Sequence, residues 1–208
     1  MPILKNIPIK LSPQRVIREL HLDRTSGSKT DVHELISTAE SLIEPRVSFK
    51  VSYIAKKTGD SVNIEGADFT SSVLRVNLEK VERVFPYIIT IGKTLEDTAR
   101  SYGDLLRQYY LENLGDMALR LCKKHLEKHI KGNYGLAKIS SMSPGSLKNW
   151  PVTEQKPLFS LFLDKKDLIG VNLTEYMLMI PRKSISGMIF PTEKTFLSCQ
   201  ICTRERCP

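Results

Sequence analysis

Apolar positions along the chain switch between a helical period and a strand period. Ser12 followed by Pro13 predicts a hydroxyl cap with proline in first place, opening a short helix over Gln14–Leu20. RTSGSKT (24–30) is a loop. Asp31–Leu42 sets Leu35, Ala39 and Leu42 on one face, a short amphipathic helix that Pro45 ends. From Val47 the period becomes two. VSFKVSYIA (47–55) alternates and is rich in β-branched and aromatic residues. KKTGD is a turn and SVNI the returning strand. SSVLRVNL (71–78) and RVFPYIITIG (83–92) read as further strands. Gly92 closes the last, and Thr94 is placed to cap a helix with Asp97 in its first turn.

The helical period is then sustained from Thr94 to about Lys131, with Leu111, Leu114, Ala118, Leu121 and Ile130 as its buried stripe. Gly103 and Gly115 are positions where it can bend, and Gly132 stops it. SSMSPGSLKNWP (140–151) is a loop, and Thr153 caps a short helix reaching Leu163. MLMI (177–180), SISGMIF (184–190) and FLSCQI (196–201) are short strands. Strands and helices mix without a βαβ rhythm. The fold class is therefore α+β, a mixed or antiparallel sheet with long helices, in one domain over 1–208. Its parts are an N-terminal helix and strand lobe (1–80), a core (81–197) and a cysteine-rich tail (198–208).

Composition narrows the function classes. The 208 residues are 41% hydrophobic and 26% charged, ordinary for a soluble globular chain. No apolar run is long enough to span a bilayer. MPILKNIPIKLSP has lysines breaking up its apolar residues, so it is not a signal peptide and a cytoplasmic location is expected. The net charge of +8 favours anionic partners. Arg120, Lys124, Lys128 and Lys131 form a basic ridge at helical spacing, with no interleaved aromatic motif for nucleic acid beside it.

Several short motifs fail on inspection. GKT (92–94) resembles the end of a phosphate-binding loop, but Tyr87 stands where the first glycine must be. Asp31-Val-His33 resembles a cobalamin-ligating run, but Ile36 replaces its glycine and the chain has no Gly-Gly pair. Cys122, His125 and His129 share helical spacing, but Lys123, Lys124, Lys128 and Lys131 surround them and repel a divalent ion. The four histidines suggest no triad.

The C-terminal third says more. LTEYMLMIPRKSISGMIF (173–190) resembles the activation domain of cobalamin-dependent methionine synthase. Leu173, Thr174, Glu175, Met179, Pro181, Ser184, Ser186, Gly187 and Phe190 fall in that family's register. SPGSLKNWPVTEQKPLFSLF resembles its glycine–proline loop and following helix, through Pro144, Gly145, Pro151, Thr153 and Glu154. The resemblance is good over 139–197 and weaker over 84–131. The small stand-alone members, which open with Pro-Ile-x-x-Ser-Pro and often end in cysteines, are the most similar.

That resemblance implies an accessory protein for reductive reactivation of a cobalamin-dependent methyltransferase. S-adenosylmethionine would supply the methyl, an acidic donor such as flavodoxin the electron, and a partner protein, methionine synthase or another corrinoid protein, the cobalamin. By position, Ser143, Pro144 and Gly145 would wall the ligand, and Thr195 and Phe196 fall near an aromatic pair that contacts it. Glu175 is in register either as a ligand contact or as a carboxylate bonding backbone N–H groups at a strand entry. Two residues depart from the family's Arg-x-x-x-Gly-Tyr-Pro. Ser141 replaces the arginine that clamps the ligand carboxylate, and Ser146 replaces the tyrosine. Loss of a charge-assisted contact removes roughly 1.5–3 kcal/mol, about one or two orders of magnitude in affinity. Lys138 and Lys148 are the candidate replacements, as point charges.

The tail is not explained by the resemblance. Cys199, Cys202 and Cys207 supply three thiols, one short of a closed zinc or iron–sulfur site. Arg204 and Arg206 favour thiolates. Unpaired thiols and a metal or cluster site both remain open. The alternative function is accordingly a non-catalytic corrinoid-protein-binding or redox module.

Overall fold

A computed structural model describes residues 3–5, 7–22, 31–162 and 169–193. The RTSGSKT loop and the FLSCQI strand lie outside the described residues. Among those described, eight strands form one sheet around β6 (Arg83–Thr90). On one side lie β10 (Ser184–Pro191) and then β7 (Ile139–Met142). On the other lie β2 (Arg46–Phe49) and β3 (Ser52–Thr58), placed end to end. β1 (Ile3–Lys5) flanks β2, while β4 (Ser61–Ile64) and β5 (Ala67–Thr70) extend from β3. Every pairing is antiparallel. The α+β architecture is as expected, and the sheet takes strands from both sides of residue 80.

The expected strand over 47–55 is split for a local reason. Lys50 stands opposite Pro86 and donates its amide to the Pro86 carbonyl at 3.2 Å. An antiparallel pair returns that bond, but proline has no N–H to give. The ladder lapses there and resumes at Ser52 opposite Val84 in the same register.

β6 is buried on both faces. Phe85, Tyr87 and Ile89 pack with the helices, and Val84 and Ile88 pack on the other side with Trp150, Leu158 and Phe162. The helical layer holds α1 (Pro13–Leu20), α2 (Val32–Leu42), α4 (Thr94–Ser101) and α5 (Leu105–Tyr134). The Ser12 cap is as expected, with Ser12 Oγ accepting from Arg15 N; α2 is capped by Asp31, which accepts from His33 N and Glu34 N. None of the described helices is long and apolar enough to cross a membrane.

Four local expectations are corrected. Residues 72–77 form helix α3 (Ser72–Asn77) and not a strand, because Ser71 Oγ accepts from Leu74 N at 3.1 Å and caps the turn. The long helical stretch breaks after Ser101, where Asp104 accepts from Leu106 N and Arg107 N and starts α5 anew. α5 then runs past Gly132 and ends at Gly135, which takes the left-handed conformation. Neither Thr94 nor Thr153 is a cap: Thr94 Oγ1 donates to Glu44 Oε1, and Val152–Glu154 is a 3-10 turn leading into α6 (Gln155–Ser160). A separate hairpin, β8 (Asn172–Leu173) with β9 (Met179–Ile180), precedes β10.

Candidate functional site

β7 is an edge strand. It pairs with β10 on one side, and among the described residues no strand covers the other. Thr192 N donates to Lys138 O at 3.2 Å, which fixes the phase of the ladder. Antiparallel strands alternate hydrogen-bonded and non-bonded pairs. Ser140 and Met142, opposite Phe190 and Met188, are thus turned toward β10. The amides and carbonyls of Ile139 and Ser141 point to the open edge. Half-buried Ser141 therefore sits where a ligand can be read by backbone groups.

Beyond Met142 the chain turns sharply. Ser143 O accepts from Ser146 N at 3.1 Å and from Ser146 Oγ at 2.6 Å. Gly145 N donates to Trp150 O, and Trp150 N to Leu147 O. Pro144, Leu147 and Trp150 are buried, while Gly145 and Ser146 are exposed. Apolar anchors thus hold the turn from below and leave its small polar residues facing out. Gly145 has φ +83°, and a Cβ there would stand 3.3 Å from Val152 Cβ.

The same turn is tied to the rest of the fold at two points. Glu154 accepts the Thr70 amide at 2.9 Å, joining the segment after the turn to β5. Burial pushes the Glu154 carboxyl above its usual value, partly offset by that bond. On the helix side, Tyr87 Oη lies 3.4 Å from Ser143 Oγ, beside Gly187. Sequence reasoning missed Tyr87. The signal available was Gly187, since a glycine inside a strand often marks a close approach.

Residues 141–147 carry hydroxyls and backbone groups but no ionisable acid or base. The arrangement can bind and orient a polar ligand; it offers no proton-transfer group of its own. Lys148 is exposed next to the turn, whereas Lys138 lies at the other end of β7 with Nζ 3.4 Å from Glu193 O. That end opens onto a cleft of about 610 Å³ lined by Lys80, Leu136, Lys138, Pro191, Thr192 and Glu193 among others.

Among the described residues, the remaining candidates do not gather at the turn. Glu175 is exposed in the β8–β9 connection. There Thr174 Oγ1 accepts the Leu178 amide and Thr174 O accepts Met177 N. Thr195, Phe196, Cys199, Cys202 and Cys207 lie outside the described residues. Cys122 is buried on α5, and burial pushes its thiol up to about 12. His129 meets the Phe49 ring edge-on and shares a hydrogen bond with Asn133. Among the described residues no cluster of His, Cys, Asp and Glu could hold a metal ion.

Two comparisons bear on this site. Residues 143–207, under half of the chain, match the family model described as vitamin B12 dependent methionine synthase, activation domain. The match begins at the Ser143 turn and covers β8, β9 and β10. A crystal structure of the MetH reactivation domain bound to AdoHcy is similar over 89% of this chain and 67% of that one, with 17% identity and a TM-score of 0.60. The fold is therefore that of the reactivation domain, and the resemblance read from residues 139–197 stands. No curated protein matches the chain.

Proposed function

With that resemblance as premise, we propose that this protein takes part in reductive reactivation of a cobalamin-dependent methyltransferase, holding S-adenosylmethionine along the open edge of β7 and the Ser143–Ser146 turn. The observation that carries the reading is the edge itself. Outward-facing backbone groups at Ile139 and Ser141 run directly into an exposed turn of small residues anchored from below by Pro144 and Trp150. The related reactivation domain holds AdoHcy, which differs from S-adenosylmethionine by the sulfonium methyl.

S-adenosylmethionine supplies an electrophilic methyl group when bound. Backbone donors and acceptors of β7 would fix the polar parts of the ligand. Gly145, without a side chain, lets a large flat partner such as a corrin ring approach the turn. The corrinoid would be carried by a partner protein, as the sequence resemblance implies. On the outer face of α5, Lys124, Lys128 and Lys131 are exposed and suit an acidic electron donor such as flavodoxin. Arg120 on the same ridge is bound to Glu19 at 2.5 Å.

Titration calorimetry with S-adenosylmethionine tests the binding step. Heat that saturates, together with a rise in unfolding temperature, is the expected result. No heat and no protection at millimolar ligand overturns it. Restoration of an oxidised corrinoid methyltransferase by the protein, reductant and S-adenosylmethionine tests the role. As a separate proposal resting on spacing alone, Cys199, Cys202 and Cys207 ligate zinc or an iron–sulfur cluster. Anaerobically purified protein without iron or zinc above background rejects that proposal.

A further inference from the structure

We infer that Tyr87 is a positioning residue for the bound ligand: its buried hydroxyl, admitted by the missing side chain of Gly187, holds Ser143 Oγ and so sets the Ser143–Ser146 turn. This rests on the binding reading above and adds to it a residue on the central strand, outside the matched segment.

The geometry converges on one point. Gly187 of β10 pairs with Tyr87 of β6, and Met188 with Met142 of β7. A Cβ on Gly187 would stand 2.5 Å from Met142 O, 2.6 Å from Tyr87 Oη and 2.7 Å from Ser143 Oγ. Three polar atoms, from β6, β7 and the turn that follows β7, thus occupy the space a side chain would fill. Around them the layer is apolar, with Phe49, Phe85, Ile89 and Ile189 buried on the same face. Tyr87 itself has no exposed surface. A phenylalanine would fill that layer as well, and a buried hydroxyl is costly unless it is bonded.

The bond acts on the turn through one residue. Ser143 is held at its side chain by Tyr87 and at its carbonyl by both the amide and the hydroxyl of Ser146. Buried Pro144 follows it and restricts the backbone further. Fixing Ser143 therefore fixes where Gly145 and Ser146 face. Tyr87 would act on the ligand without touching it, from the middle of the sheet.

The discriminating experiment compares Tyr87→Phe, Ser143→Ala, Ser143→Thr and the Tyr87→Phe/Ser143→Ala double variant by S-adenosylmethionine calorimetry and by unfolding of the ligand-free protein. Tyr87→Phe and Ser143→Ala should each weaken binding about 3- to 10-fold. The double variant should be no weaker than the worse single one, and Ser143→Thr, which keeps a hydroxyl, should retain more affinity than Ser143→Ala. Wild-type binding with Tyr87→Phe within about twofold of it overturns the inference and leaves the binding reading intact. So does a loss confined to the unfolding temperature, or a strictly additive double variant. A wild type that does not bind fails the binding reading first, and this inference with it.

Discussion

Arg182 Nε lies 2.9 Å from Oε1 of Glu96, a carboxylate whose side chain is only 6% exposed at the start of α4. Arg100 Nη2 reaches the same oxygen at 2.6 Å, and Arg182 Nη2 also meets Glu112 of α5 at 3.2 Å. Beside them Lys183 Nζ bonds Asp116 at 2.7 Å. The connection between β9 and β10 is thereby clamped to both α4 and α5. Either arginine can neutralise Glu96 alone. Arg100→Ala and Arg182→Ala should therefore each cost under about 1 kcal/mol. Removing both strands a buried charge, and the double variant should lose about 3 kcal/mol, more than the sum. Urea unfolding with an unchanged slope measures this; additive losses would show that Glu96 does not bind the two interchangeably.

Helix α3 depends on one hydroxyl. Ser71 is buried, and its Oγ satisfies the Leu74 amide in the first turn. Ser71→Ala should destabilise the protein by about 1 kcal/mol, while Ser71→Thr or Ser71→Asp should recover most of it. Thermal unfolding of the three variants gives the comparison. Equal stability of Ala and Thr at this position would mean that packing of Leu74 and Leu78, and not the cap, holds the helix.

Two glutamates should respond to pH with opposite sign. Burial holds the Glu154 carboxyl above its ordinary 4.5, outweighing the Thr70 amide bond. Its contribution to stability is present below the unfolded value and lost as pH rises through the raised folded value. Glu154→Gln should thus unfold at a higher temperature than wild type at pH 7, with the gap closing toward pH 4. At Glu19 burial would also raise the carboxyl, but the Arg15 bond and the charges of Arg120, Arg15 and Arg18 together outweigh it and hold the value low. That contribution is present above the unfolded value and lost as acid takes pH through the lowered one. Glu19→Gln should be less stable at pH 7 and approach wild type in acid. Parallel pH profiles for the two variants would contradict both assignments.

What the sequence made legible follows its local physics. Ser12-Pro13 announced its helix because a cap and the first turn are set by neighbours, and Leu35, Ala39 and Leu42 announced theirs by spacing alone. KKTGD announced its hairpin for the same reason. SSVLRVNL misled because Leu74, Val76 and Leu78 alternate like a strand, while the deciding interaction is a single bond from Ser71. The lapse at Lys50 was illegible, since its cause is Pro86, a residue distant in sequence. At the candidate site, Ser143–Ser146 could be read from Pro and Gly at turn positions. Tyr87 could not, because only the sheet register brings it to Ser143. Gly187 carried a hint of close approach without saying to what.

Ser141 offers the sharpest test of the site as a whole. It sits on the open edge of β7, half-buried, with its backbone turned outward, where the resemblance read from the sequence would put a carboxylate clamp. The wild-type side chain is too short to fork onto a carboxylate. If S-adenosylmethionine lies along this edge, Ser141→Arg restores a charge-assisted, two-pronged contact. Affinity should rise by about ten- to a hundredfold. Ser141→Lys should gain less, because an ammonium is a point charge and cannot match both oxygens. Added salt should weaken the gain, as screening acts on an exposed charge pair. The gain should also vanish for a nucleoside ligand without the carboxylate, such as 5′-methylthioadenosine, which separates recognition of that group from general attraction to the added cation. Equal tightening for both ligands, or none for either, would place the carboxylate away from Ser141 and remove this edge as its clamp.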